Sequence, residues 1–167
     1  VFSISNPTTP TLNIASTTPA ICAGETATLT PTGAVSYTLA STSATFATNT
    51  TVTPVSTTVY NITGTDASNC TSAPLSVTVT VNELPTLSLA SSNTAICVGQ
   101  TATLTANTTG TTTVDTYTWS TGSTTVNTTT VSPSSQTVYT VAGTNTLTGC
   151  VSAVQSVTVD VNALPTA

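Results

Sequence analysis

The segment PAICAGETATLT at residues 19–30 returns as TAICVGQTATLT at residues 94–105. A chain of 167 residues that states one pattern twice is constrained to build two copies of one small unit. On the same 75-residue offset, PTLNIAS (10–16) matches PTLSLAS (85–91), and Cys22 matches Cys97. Farther along the offset becomes about 80. Tyr37 then matches Tyr117, Cys70 matches Cys150, and VNELPT (81–86) matches VNALPT (161–166). The second copy has thus gained about five residues within NTTGTTTVDT (107–116), and such a gain belongs in a loop. Phe2 and Ile4 fall where Val77 and Val79 fall. The expected organisation is therefore the tail of a preceding repeat at 1–9, repeat 1 at 10–83, repeat 2 at 84–162, and the start of a following repeat at 163–167.

Within each copy, short alternating runs are separated by turn residues, the pattern of a β-sandwich. In TATLT, Ala27 and Leu29 point one way and the threonines the other. VSYTLA (35–40) turns Val35, Tyr37 and Leu39 inward, and TYTWS (116–120) does so with Tyr117 and Trp119. TTVYNITG (57–64) places Tyr60 and Ile62 in the core, as QTVYTVAG (136–143) places Tyr139 and Val141. LSVTVTV (75–81) alternates without interruption, setting Leu75, Val77, Val79 and Val81 on one face. About seven strands in 75–80 residues predict an all-β chain of two tandem immunoglobulin-like sandwiches.

Threonine makes up about 29% of the chain, while charged residues make up 3%. Thr and Val have branched Cβ atoms that suit a pleated surface, so the solvent face is built of hydroxyls instead of ions. The net charge of −5 is carried by Glu25, Asp66, Glu83, Asp115 and Asp160, with no Lys, Arg or His anywhere. Without cations a phosphate backbone cannot be neutralised, which excludes nucleic acid as a partner. No apolar run is long enough to cross a membrane as a helix, so no membrane insertion of this segment is expected.

The same inventory argues against catalysis. General acid–base chemistry relies mostly on His, Lys or paired carboxylates, and here the acids are isolated. A zinc site would need His or CxxC spacing. Asp66, Asn69 and Asp115 form no DxDxDG calcium loop and read as turn caps. No catalytic, cofactor-binding or metal-binding residue is expected, and no cofactor. Trp119 occupies the position of Leu39, which favours a core role over a sugar-stacking platform. Tyr60 and Tyr139 follow Pro54 and Pro133 by six residues, as in the tyrosine corner of sandwiches, where the hydroxyl bonds nearby backbone.

Four cysteines in two matching pairs point to disulfides and an extracytoplasmic setting. Two connectivities stay open. One pairs Cys22 with Cys70 and Cys97 with Cys150, within each repeat. In an immunoglobulin topology those positions lie at opposite ends of the sandwich, beyond the roughly 7 Å that a cystine spans between Cα atoms. The other pairs Cys22 with Cys150 across the repeat junction, leaving Cys70 and Cys97 to neighbouring copies.

Together, ICAGETATLT, the Y-T-L or Y-T-W strand, V-x-P-x-x-x-T-V-Y, the later Cys and the closing SVTVTVN…LPT resemble the immunoglobulin-like and PKD-like tandem repeats of giant Bacteroidota surface proteins. The resemblance implies export by type IX secretion and a stalk or filament of an adhesin at the cell surface, serving attachment, gliding or prey and host contact. Partners would then be neighbouring repeats of the same chain. Lateral self-association into fibres is a further expectation, because no Lys guards the sheet edges. A carbohydrate- or surface-binding module and spacer domains of a secreted enzyme are the alternatives.

Overall fold

The computed structural model describes residues 8–16 and 20–165. Residues 1–7 of the expected repeat tail and 166–167 of the expected following start therefore lie outside the described residues. The chain divides into two compact units, 1–82 and 83–167, each all-β among the described residues.

In repeat 1 a three-stranded sheet has the order β1 (Asn13–Ser16), β3 (Ala27–Thr32), β6 (Thr50–Val52). A five-stranded sheet has the order β2 (Ala20–Cys22), β8 (Leu75–Asn82), β7 (Thr58–Thr65), β4 (Ser36–Leu39), β5 (Ala44–Phe46). Repeat 2 reproduces both sheets. The smaller comprises β9 (Leu87–Ser91), β11 (Ala102–Thr108) and β14 (Thr128–Val131). The larger runs β10 (Ala95–Cys97), β16 (Gln155–Asn162), β15 (Thr137–Thr144), β12 (Thr116–Trp119), β13 (Gly122–Thr124).

Eight strands per repeat replace the seven expected because the first strand divides. β1 pairs antiparallel with β3, then the chain changes sheets and β2 pairs parallel with β8. The short AIC run that carries the cysteine is thus a strand, and not merely the approach to a turn. The turn after it is closed by Glu25 N–H donating to the Cys22 carbonyl. Gly24 sits in that turn at φ +91°, a region that side chains with a Cβ avoid.

The alternation puts Leu29, Ile62 and Val79 at the centre of the first core, and Leu104, Val141 and Val159 at the centre of the second. Two expectations need correction. Val35 is 62% exposed, because β4 begins only at Ser36 and Val35 belongs to the preceding bend. On β8 only Val79 is fully buried, with Val77 and Val81 half-buried against the core and Leu75 partly exposed. This strand runs near the sheet's edge, where its neighbour β2 is three residues long. The five added residues of repeat 2 extend β11 and the 109–115 connection to β12, where residues 33–35 suffice in repeat 1.

Candidate functional site

The residues with chemical potential are the cysteines, the carboxylates and the buried aromatic hydroxyls. Cys22 ends β2 opposite Asn82, the last residue of β8. Cys70 lies at the other end of that strand, beside the Thr65–Thr71 bridge that follows β7. Eight residues of β-strand separate the two ends by about 25 Å, far beyond the reach of a cystine. Cys97 and Cys150 occupy the same two ends in repeat 2. Cys22 and Cys150 are half-cystines, whereas Cys70 and Cys97 carry free thiols. Neither within-repeat pair, Cys22–Cys70 or Cys97–Cys150, is formed.

Each carboxylate is engaged inside its own compact unit, Glu83 belonging to the second. Glu25 accepts from the Cys22 amide (2.9 Å), a contact that Gln100 repeats on Cys97 (3.2 Å). Asp66 accepts from the Ser68 and Cys70 amides (2.8 and 2.9 Å), capping its turn. Asp115 takes the amide and hydroxyl of Thr146 (3.0 and 3.1 Å). Glu83 meets the Thr111 hydroxyl, and Asp160 the Gln136 amide. No two of the five share a partner. Among the described residues no three His, Cys, Asp or Glu side chains gather as a metal site would require.

The expected core positions Tyr37, Leu39 and Tyr60 are buried in repeat 1, as are Tyr117, Trp119 and Tyr139 in repeat 2. The hydroxyl bond expected of a tyrosine corner is found elsewhere. Tyr37 donates to the Ala34 carbonyl (2.9 Å) and accepts from the Ala34 amide (3.1 Å). Tyr60 and Tyr139 have no hydrogen-bond partner among the described residues. Burial raises the Tyr60 phenol above its ordinary value of 10.0.

One polar device escaped the sequence reading. The Ser72 hydroxyl accepts from the Gly64 amide (2.9 Å) and donates to the Ala73 carbonyl (2.8 Å), while its own amide donates to the Gly64 carbonyl (2.8 Å). Ser152 treats Gly143 in the same way. A Cβ on Gly64 would collide with Leu12 Cδ2 and Ala34 Cβ, so the packing of those two side chains over β7 needs glycine. The signal was the Ser-Ala pair recurring at 72–73 and 152–153.

Neither a known protein family nor a curated protein matches this chain by sequence. Among solved structures, the chain is similar to fibronectin(III)-like modules of Clostridium thermocellum CbhA. That match has a TM-score of 0.50 and 14% identity, and covers 92% of this chain and 95% of that one. Murine CEACAM1b matches at TM-score 0.41 and 13% identity, covering 92% and 100%. The amphioxus IgVJ-C2 molecule matches at TM-score 0.39 and 14% identity, covering 84% and 99%. At such identity the likeness is one of fold. The chain comprises two tandem immunoglobulin-like β-sandwiches.

Proposed function

We propose that these two sandwiches are a structural segment of a long extracellular repeat protein, a stalk or filament of a surface adhesin that serves attachment, gliding or prey and host contact. A Bacteroidota-type, type IX-secreted protein is the origin that its motifs favour. The observation that carries the reading is the use of polar groups. All five carboxylates and both buried serines are engaged within their own compact unit, and the same core is built twice. A chain with reactive work to do would converge such groups instead.

The oxidation states of the cysteines support a staple between successive repeats, Cys22 of one with Cys150 of the next. On that plan Cys70 and Cys97 are the matching half-staples for further copies. A small sandwich buries only about 60–65% of its unfolded surface, so a cross-link worth about 2–4 kcal/mol is a substantial share of its stability. Sheet edges formed by NIAS, AIC, ATF and TTV carry no charge or proline, which favours lateral association between chains.

Single-molecule stretching of the chain tests the spacer role. With the disulfide intact, only the chain ends should extend before rupture. After reduction, two unfolding events of about 27 nm each should appear, from 75–80 residues at about 3.5 Å per residue. Two such events without reduction would refute the staple, and featureless extension would refute the spacer.

A further inference from the structure

Repeat 1 contains a cleft of about 550 Å³ between β6 and the β4–β5 hairpin. Its floor is apolar: Leu39, Val52 and the ring of Tyr60, all buried. Its rim is hydroxylic, with Ser41, Thr51 and Thr53 exposed to solvent. Tyr60 is only 8% exposed, and its hydroxyl has no partner among the described residues. The phenol finds no partner in the protein and lines an open cleft, so water or a ligand hydroxyl must take its hydrogen bond. That orphan donor lines a cavity large enough to admit a ligand.

We propose that the cleft binds a neutral sugar unit of a glycan. A pyranose ring has an apolar C–H face, which suits the Leu39–Val52–Tyr60 floor, and a hydroxyl edge that both donates and accepts. The serine and threonine rim and the Tyr60 hydroxyl offer the same dual capacity. No charged residue lines the cleft, and the chain has no cation, so acidic sugars and phosphorylated ligands gain nothing there. A wholly apolar ligand would leave the Tyr60 hydroxyl unpaired. The site is open and shallow, so a single sugar unit binds weakly, at about 0.1–10 mM. Repetition along an array would raise that by avidity. The assignment stands apart from the spacer reading: a stalk can carry the cleft or lack it.

Repeat 2 supplies the blocking variant. Trp119 stands at the register of Leu39, opposite Val141 and Gly122 where Leu39 faces Ile62 and Ala44. Leu39→Trp therefore places in repeat 1 a side chain that the same framework already accommodates in repeat 2. The experiment titrates the full 167-residue chain, isotope-labelled, with lactose, maltose and cellobiose, and separately with sialyllactose and 1-hexanol. Saturable amide shifts with at least one neutral disaccharide, confined to residues 39–44, 50–53 and 58–60, are expected. Leu39→Trp should abolish them, and Tyr60→Phe should weaken binding about tenfold. Should Leu39→Trp fail to fold, Tyr60→Phe and Thr51→Val carry the test alone. Absence of shifts with all three disaccharides up to 50 mM (about that ceiling for a specific site) overturns the proposal. So do shifts elsewhere in the chain, equal binding by the variants, or a response to hexanol alone.

Discussion

The two repeats share topology and register but place their bulk differently, and the difference shows what this fold holds constant. In repeat 1, Tyr37 lies opposite Phe46, with ring centroids 5.8 Å apart, and Leu39 lies opposite Ala44. In repeat 2 the hairpin strand β13 has lost its aromatic, with Tyr117 opposite Thr124, and β12 has gained one, with Trp119 in place of Leu39 and opposite Gly122. Aromatic bulk in the β4–β5 or β12–β13 hairpin is kept while the strand that carries it changes, as a core tolerates when total volume is preserved. The centre does not vary in this way. Leu29 and Leu104, Ile62 and Val141, Val79 and Val159 are completely buried in equivalent places.

A second difference is polar. Asp66 of repeat 1 becomes Asn145 of repeat 2. Both side chains accept from amides of their turns. Asn145 also donates to the carbonyl and hydroxyl of Thr113 (3.1 and 2.9 Å), fastening the longer 109–115 loop. A carboxylate could not donate, so the amide accompanies the insertion.

The largest expected effect comes from the relocated bulk. Trp119→Ala should destabilise repeat 2 by about 3–5 kcal/mol, read by hydrogen exchange at Leu104 and Val141, while exchange at Leu29 and Ile62 reports repeat 1 in the same sample. Asn145→Asp should cost about 2–4 kcal/mol, since it sets a buried carboxylate against the Thr113 carbonyl. The reciprocal Asp66→Asn should change repeat 1 by less than about 1 kcal/mol. Equal costs for the two exchanges would mean that the amide does not fasten the loop. Where the repeats are alike their responses should match. Ser72→Ala and Ser152→Ala should each cost about 1–3 kcal/mol by leaving a buried glycine amide unpaired, measured in the same exchange experiment.

The smallest effect separates the tyrosines. Burial raises the Tyr60 phenol when folded, so its contribution to stability is complete below pH 10, the ordinary value of the group. That contribution is lost as pH rises through the higher folded value. Tyr60→Phe should flatten this alkaline decline for repeat 1. Urea midpoints at pH 9 to about 11.5 check it, and an unchanged slope would contradict it.

Much of this was legible in the sequence because period-two alternation and repetition report strand and core directly: Leu29, Ile62 and Val79 could be read from pattern alone. The division of the first strand was not legible. AIC is three residues long, too short to show a period, and its parallel pairing with β8 depends on where the chain changes sheets. Val35 was misplaced because alternation extends past a strand's true start when the flanking residue is apolar. The Ser72–Gly64 lock was hidden because a serine in a connection looks like any turn residue until its partner glycine is seen beside it. The cleft was invisible for a similar reason: Leu39 reads as core, and only the surrounding geometry leaves space above it.

The proposed spacer rests on a disulfide staple that joins the two repeats. Its most direct test uses the chain's two glutamates. Cleavage after Glu25 and Glu83 without reduction yields fragments 1–25, 26–83 and 84–167, which hold Cys22, Cys70, and Cys97 with Cys150, respectively. The account predicts that 1–25 remains joined to 84–167, and that Cys70 and Cys97 react with an alkylating reagent. A product joining 1–25 to 26–83 would contradict it.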